Sequence, residues 1–214
     1  MKRAVILSGG TIAGADLVGK YLTDADIICV DAGANFALDQ ELDISLALGD
    51  FDSIKNENYR NLIENKVAMK SFNADKDMTD MELAIEYASK KGYTDCYLFG
   101  ATGTRLDHTL ANINLLIKYS KFFDKLVIID DNNTISLADS SISKEHKITG
   151  GKGYNLSLIK ADFSPTISLK GVKWPLINHK IERASSLTIS NKILEKEAVL
   201  SIEGGSCFVF LSRD

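Results

Sequence analysis

A change of periodicity near the middle of the chain limits what it can fold into. Through about residue 130, short apolar runs alternate with stretches of helical spacing. "AVILSG", "IICVDAG", "SLALGDFD", "VAMKSF", "CYLFGATG" and "KLVIIDD" read as strands, several of them apolar on both faces, as strands buried in a parallel sheet are. Between them, "TDMELAIEYASKKG" places Met81, Ala84, Ile85 and Ala88 at helical spacing, with a Thr79 to Glu82 capping box and Gly92 just past the end. Leu106, Leu110, Ile113 and Ile117 signal a second helix. From about Thr134 the runs shorten and alternate: "TISLADS", "YNLSLIKA", "TISLKGV", "SSLTISN", "EAVLSIEGG" and "CFVFLSR" are separated by Gly, Asn, Ser and Lys clusters, with no comparable helix.

The change predicts two domains joined near "DDNN". Residues 1–132 form a Rossmann-like three-layer α/β/α domain, and residues 133–214 form an antiparallel β-sandwich. A chain of 214 residues that is 45% hydrophobic and 25% charged has enough apolar material for both.

With 25 Lys and Arg against 29 Asp and Glu, the net charge is -4 and no basic block exists to follow a phosphate backbone, so nucleic acid is not an expected partner. Cys29, Cys96 and Cys207 are odd in number, far apart and set in apolar runs, which reads as core residues in a reducing compartment. His108, His146 and His179 are dispersed, with no Cys/His pair at zinc-site spacing. The apolar run in "MKRAVILSGG" is too short for a signal-peptide core and far below the ~18 residues of a membrane span. A cytoplasmic protein without membrane contact is the expectation.

Two segments imitate nucleotide motifs. "GADLVGKY" follows a phosphate-binding P-loop until Tyr21, which replaces the serine or threonine that holds magnesium, and it reads better as a helix start. "GGTIAG" lacks the G-x-G-x-x-G spacing of a dinucleotide site.

The polar residues collect instead behind the strands, where open α/β sheets bind ligands. "DAGAN", "GDFDS", "NADKDMTD" and "GATGTRLDH" each follow a strand and face one crevice. Taken singly, Asp50 and Asp52 read as turn residues, and Asp77 and Asp80 as complements to the positive end of a helix. Together, carboxylates gathered at one end of a sheet repel unless a cation sits among them, and oxygen ligands without His or Cys suit magnesium bound to substrate phosphates. In "GATGTRLDH", Gly100 and Gly103 permit close backbone approach, the following helix offers free N–H groups, and Arg105 can clamp phosphate oxygens, unless it pairs with a neighbouring acid. The combination points to phosphoryl-type transfer from a nucleotide, with Asp50 and Asp52 holding metal bound to a polyphosphate.

"DAGAN", "GDFDSI", "DKDMTDMELA", "GATGTRLDH", "GVKWPL" and "TISN", in that order and over nearly the whole chain, resemble the thiamine pyrophosphokinase family. The resemblance implies transfer of pyrophosphate from ATP to the hydroxyethyl arm of thiamine, giving thiamine diphosphate and AMP, with magnesium required. It also implies a homodimer with active sites at the subunit interface. Carried over by motif, Asp50, Asp52 and Asp77 would bind magnesium with Asp80 in support. Asp31, Asn35, Lys76, Thr79 and the segment from Thr102 and Gly103 through His108 would line the nucleotide site. Arg105 would stabilise charge on the transferring phosphates, Asp107 would orient the loop or the metal, and Asp50 and Asp77 are the candidates to take the alcohol proton. Trp174 would face the thiazolium or the pyrimidine, with Ser190 and Asn191 bonding the aminopyrimidine; for Trp174 a place in the sandwich core is the alternative. Ala32 stands where the family often has glycine, and Met78 occupies a variable position; neither removes a ligand.

The rival readings are a pyrophosphokinase acting on a hydroxymethyl pterin, a non-catalytic nucleotide sensor, and a magnesium-dependent phosphohydrolase. "GVKWPL" and "TISN" favour thiamine over the pterin.

Overall fold

The computed structural model describes residues 2–71, 77–150 and 152–213. The chain divides into two compact units, Met1–Asp131 and Asn132–Asp214.

In the first unit the apolar runs become parallel strands β1 (Arg3–Leu7), β2 (Ala25–Val30), β3 (Ile44–Gly49), β4 (Met69–Ser71), β5 (Asp95–Phe99) and β6 (Lys125–Ile129), in the order β6-β5-β1-β2-β3-β4. The helices are α1 (Ala15–Gly19), α2 (Gly33–Asp39), α3 (Asn56–Glu64), α4 (Asp80–Lys90) and α5 (Leu106–Tyr119). Alternation along the strands divides the core. Val5, Leu7, Ile27, Cys29 and Phe99 cluster with Val18 of α1, Ala34 and Ala37 of α2 and Leu62 of α3. The intervening Ala4, Ile6, Ile28 and Leu98 are equally buried, and α4 packs against β1, β2 and β3. Helices thus cover both faces of the sheet, which is why its central strands are apolar throughout.

The α4 signals hold: Thr79 caps the helix, its Oγ1 accepting from the Glu82 N–H (3.2 Å), and Gly92 beyond it has φ +72°. Glu82 also ties α4 to α5, taking Lys118 Nζ at 2.6 Å and the Tyr119 hydroxyl at 3.2 Å. The apolar face expected of α5 requires correction. Leu106 and Leu110 are 72% and 61% exposed, and the buried face is Asn112, Ile113, Leu116 and Tyr119. The first turn of α5 borders the crevice and has no core to meet. "GADLVGKY" is the start of α1, as its departure from the P-loop pattern suggested.

In the second unit the strands are β7 (Asn133–Asp139), β8 (Glu145–Ile148), β9 (Asn155–Lys160), β10 (Thr166–Lys170), β11 (Leu176–Lys180), β12 (Asn191–Lys192), β13 (Ala198–Glu203) and β14 (Ser206–Ser212). They pair antiparallel in the orders β12-β9-β14-β7 and β11-β10-β13-β8, around one core that draws Leu156, Leu158 and Val209 from one layer and Ile167, Leu169 and Leu200 from the other. "SSLTISN" is not the strand expected. Leu187 and Ile189 are exposed there, and the chain pairs regularly only from Asn191.

Cys29, Cys96 and Cys207 are free and buried, and burial pushes each thiol upward, Cys207 to about 12. Among the described residues no helix is long and apolar enough to cross a membrane.

Candidate active site

The strand order reverses between β1 and β5, which opens a crevice at their carboxyl ends. There the two following loops are laced backbone to backbone. The Ser8 N–H donates to Phe99 O (2.9 Å), Gly10 to Gly100 O (3.0 Å) and Thr11 to Thr102 O (2.8 Å). An added Cβ on Gly10 would strike the carbonyls of Gly100 and Thr102, and one on Gly100, whose φ is +68°, would strike Ser8 O. Only glycine lets the loops approach this closely.

They enclose a cleft of about 350 Å³ bounded by Ser8, Gly9, Gly10, Asp31 and Ser53 on one side and by Gly100–Thr104 and the first turns of α5 on the other. Side chains of α5 fix the loop. Asn112 donates to Ala101 O at 2.7 Å, and Thr109 Oγ1 accepts from the Gly103 N–H (3.2 Å) while donating to Arg105 O (3.2 Å). Thr102 Oγ1 donates to Asp130 at 3.0 Å. The cleft therefore meets the N-terminus of a 14-residue helix across a glycine loop, an arrangement that favours phosphate through free N–H groups and the helix dipole.

Arg105, at the mouth, is turned onto Asp107, with Nη2 to Oδ2 at 2.7 Å and Nε to Oδ1 at 3.3 Å. Both side chains are about two-thirds exposed, so the pair adds little stability. The guanidinium, helped by the His108 backbone N–H, holds the Asp107 carboxyl down at about 2, and Asp107 pushes Arg105 up.

A second cleft of about 380 Å³ shares Ser8, Asp31, His108 and Asn112 with the first and continues to Asp77, Thr79 and Asp80 at the start of α4. Asp31 has φ +46° and its N–H bonds to Leu48 O (3.0 Å). A Cβ on Gly49, whose φ is +137°, would collide with Asp31 Oδ1, so that carboxylate lies against the residue preceding Asp50. Asp31, Asp77, Asp80, Thr79 and His108 are thereby brought to one wall.

Asp50 and Asp52 line neither cleft; they lie on an exposed loop whose Ser53 borders the first, with the Asp52 N–H bonded to Asp50 Oδ1 (3.2 Å). Among the described residues no three His, Cys, Asp or Glu side chains close on one point. Open carboxylates of this kind still fit magnesium, which commonly takes one or two protein carboxylates and fills its other positions with water and substrate phosphate. Asn35 borders neither cleft; its amide braces the Asp50 loop through Ser53, Lys55 and Asn58. Lys76 lies outside the described residues.

In the second unit, "GVKWPL" and "TISN" meet. Lys173 N–H donates to Lys192 O (2.8 Å), Leu194 N–H to Gly171 O (3.0 Å), and Val172 bridges to Ile193. Trp174 is 53% exposed, not in the core, with Lys173 Nζ 4.5 Å from its ring centre. Buried Asn191 spends its amide on the Trp174 backbone, and the Ser190 N–H, at φ +59°, bonds to Ser157 Oγ (2.9 Å).

Ser8, Gly9, Gly10, Thr109 and Asn112 escaped the sequence reading. "SGG" fits no spacing motif, and its role appears only once β1 is known to neighbour β5.

Residues 18–129 match the family described as thiamin pyrophosphokinase, catalytic domain, and residues 141–206 match thiamin pyrophosphokinase, vitamin B1 binding domain. The chain is 33% identical over 218 residues to the thiamine pyrophosphokinase of Bacillus subtilis (strain 168), covering 100% of both. The crystal structure of thiamine pyrophosphokinase from Bacillus subtilis aligns with a TM-score of 0.86 at 30% identity, over 99% of this chain and 100% of that one. That of thiamin pyrophosphokinase from Geobacillus thermodenitrificans aligns with a TM-score of 0.87 at 29% identity, over 100% and 98%. Similarity to both family domains and over the full length of the chain, which carries a glycine-laced cleft in its first unit and an exposed tryptophan in its second, places the chain in the thiamin pyrophosphokinase family.

Proposed function

We propose that the chain transfers the pyrophosphate group of ATP to the hydroxyl of thiamine, giving thiamine diphosphate and AMP. The observation that carries this is the pairing of the glycine-lined β1/β5 cleft with similarity to both family domains along one chain. Residues 1–132 act as the nucleotide and catalytic domain and residues 133–214 as the thiamine-binding domain.

The thiamine oxygen bonds to the β-phosphorus of ATP. The bond from that phosphorus to the oxygen bridging the α-phosphate breaks, and the bridging oxygen leaves with AMP. The hydroxyl proton passes to a base, for which Asp50 and Asp77 are the candidates. Gly9, Gly10, Gly103 and the start of α5 hold phosphate oxygens, and Arg105 exchanges Asp107 for them as charge develops. Asp50, Asp52 and Asp77, with Asp80 in support, would hold magnesium, which supplies neutralisation of the polyphosphate charge. Asp31, Asn35, Lys76, Thr79, Thr102 and His108 complete the nucleotide side, Asn35 through the loop it braces. Trp174, which already carries the Lys173 ammonium beside its ring, offers the same surface to the thiazolium cation, flanked by Ser190 and Asn191. The working form is a cytoplasmic homodimer with active sites at the subunit interface.

Nucleotide product analysis with ATP and magnesium, with and without thiamine, tests the assignment. AMP formed only with thiamine, in step with thiamine diphosphate, is the expected result. ADP, or phosphate release without thiamine, overturns it; turnover with a hydroxymethyl pterin instead moves the substrate; nucleotide binding without turnover makes the protein a sensor.

A further inference from the structure

The loop that presents Asp50 and Asp52 is fixed from outside. Phe51, between the two acids, has φ +63°, a conformation L residues rarely adopt and that persists only where the surroundings hold it. Phe51 itself packs against the core of the first unit and beside Tyr59, and the far side of the loop is held by Asn35 at the start of α2. Its Nδ2 donates to Ser53 O (3.3 Å), while its Oδ1 accepts both the Lys55 backbone N–H (3.1 Å) and Nδ2 of Asn58 (2.9 Å). Only the oxygen can accept from Lys55, so the amide's orientation is settled, and both lone pairs of that oxygen are used.

Asn58 is 4% exposed and shares the buried face of α3 with Leu62. A buried amide is costly unless its hydrogen bonds are made, and this one bonds to the brace. An aspartate at position 35 would turn a carboxylate oxygen toward Ser53 O and add a third negative charge beside two. The neutral amide pair fixes the loop without either effect. Lys55, the nearest cation in the loop sequence, is engaged with Asp39 (3.2 Å).

We propose that Asn58, acting through Asn35, is a positioning residue for the acidic loop: the two side-chain amides set the path of residues 50–55 so that Asp50 and Asp52 are presented for metal before substrate arrives. The inference rests on the reading of Asp50 and Asp52 as magnesium ligands given above.

The test compares the full chain with Asn58→Leu, which keeps the branched shape of the side chain and loses the donor. Mn2+ is titrated in the presence of a non-hydrolysable ATP analogue, and the rate is followed against Mg2+. Expected are a roughly tenfold weaker Mn2+ affinity, as when groups orienting metal ligands are removed, an equal rise in the Mg2+ needed for half-maximal rate, recovery at high Mg2+, and an unchanged KM for thiamine. Faster hydrogen exchange at the Lys55 amide accompanies them. Loss of thermal stability with unaltered Mn2+ affinity and Mg2+ dependence overturns the proposal. If Asn58→Leu does not fold, Asn58→Ser, smaller and still polar, carries the same comparison. A wild-type protein that makes no thiamine diphosphate while the variant still loses Mn2+ affinity removes the substrate assignment and keeps the brace. Normal turnover with unchanged Mn2+ affinity in the variant does the reverse.

Discussion

Asn191 closes a ring on the backbone of Trp174: its Nδ2 donates to Trp174 O at 2.7 Å, and its Oδ1 accepts from the Trp174 N–H at 3.1 Å. The side chain thus extends to Trp174 the backbone pairing that residues 171–173 make with residues 192–194, and the indole it steadies is left half open to solvent. The same oxygen accepts the Lys192 N–H (2.9 Å), so the amide serves the loop before it can serve a ligand. Trp174 is the chain's single tryptophan, and its fluorescence reports this loop alone.

Asn191→Ala should therefore cost about 1–3 kcal/mol of stability through unpaired backbone groups. It should also raise the KM for thiamine roughly tenfold while leaving that for ATP unchanged. Thiamine titration followed by Trp174 emission, beside thermal unfolding, separates the two effects; equal changes in both KM values would contradict the role.

The Arg105–Asp107 pair gives a pH prediction with a definite sign. The carboxyl is held at about 2, below the ordinary value of about 3.9. The pairing is therefore intact above that ordinary value and disappears as pH falls through about 2. From pH 5 to 9 neither partner titrates, so a pH–rate transition in that range belongs to another group. The carbon-13 chemical shift of the Asp107 carboxyl should show a midpoint near 2, and Arg105→Ala should return it toward ~3.9.

Gly10→Ala places a methyl group against two backbone carbonyls that cannot rotate away. A loss of about 1–3 kcal/mol is expected from overpacking, with weakened binding of an ATP analogue by calorimetry. Gly19→Ala is the control: nothing lies within 4 Å of its added Cβ at the end of α1, so stability should hold or rise by up to ~1 kcal/mol.

Asp52→Asn keeps the side chain's size and removes its charge. Turnover should fall roughly a hundredfold or more, while affinity for free nucleotide changes little. Activity surviving intact would leave Asp52 as a turn residue whose backbone N–H caps Asp50.

Legibility followed the range of the interactions. The strands of the first unit and α4 were readable because hydrophobic period and a capping pair act within a few residues. α3 was not: "NENYRNLIE" buries only Asn58 and Leu62, and the Asn58 partner lies 23 residues away. α5 misled because Leu106 and Leu110 are apolar yet exposed, while Asn112 is polar yet buried against Ala101 O. The acids and the arginine of the site were visible as residues. The partnership of "SGG" with "GATG" was not, since strand order is a property of the assembled sheet.

The buried thiols carry a last consequence. Cys29 and Cys96 lie in the first unit and Cys207 in the second, all closed to solvent and held in their unreactive protonated form. Each becomes alkylatable only when the sheet around it opens. Timed labelling in denaturant, read by peptide mass, would therefore clock the opening of the two halves of the molecule separately, with three native cysteines as the stopwatches and no engineered probe.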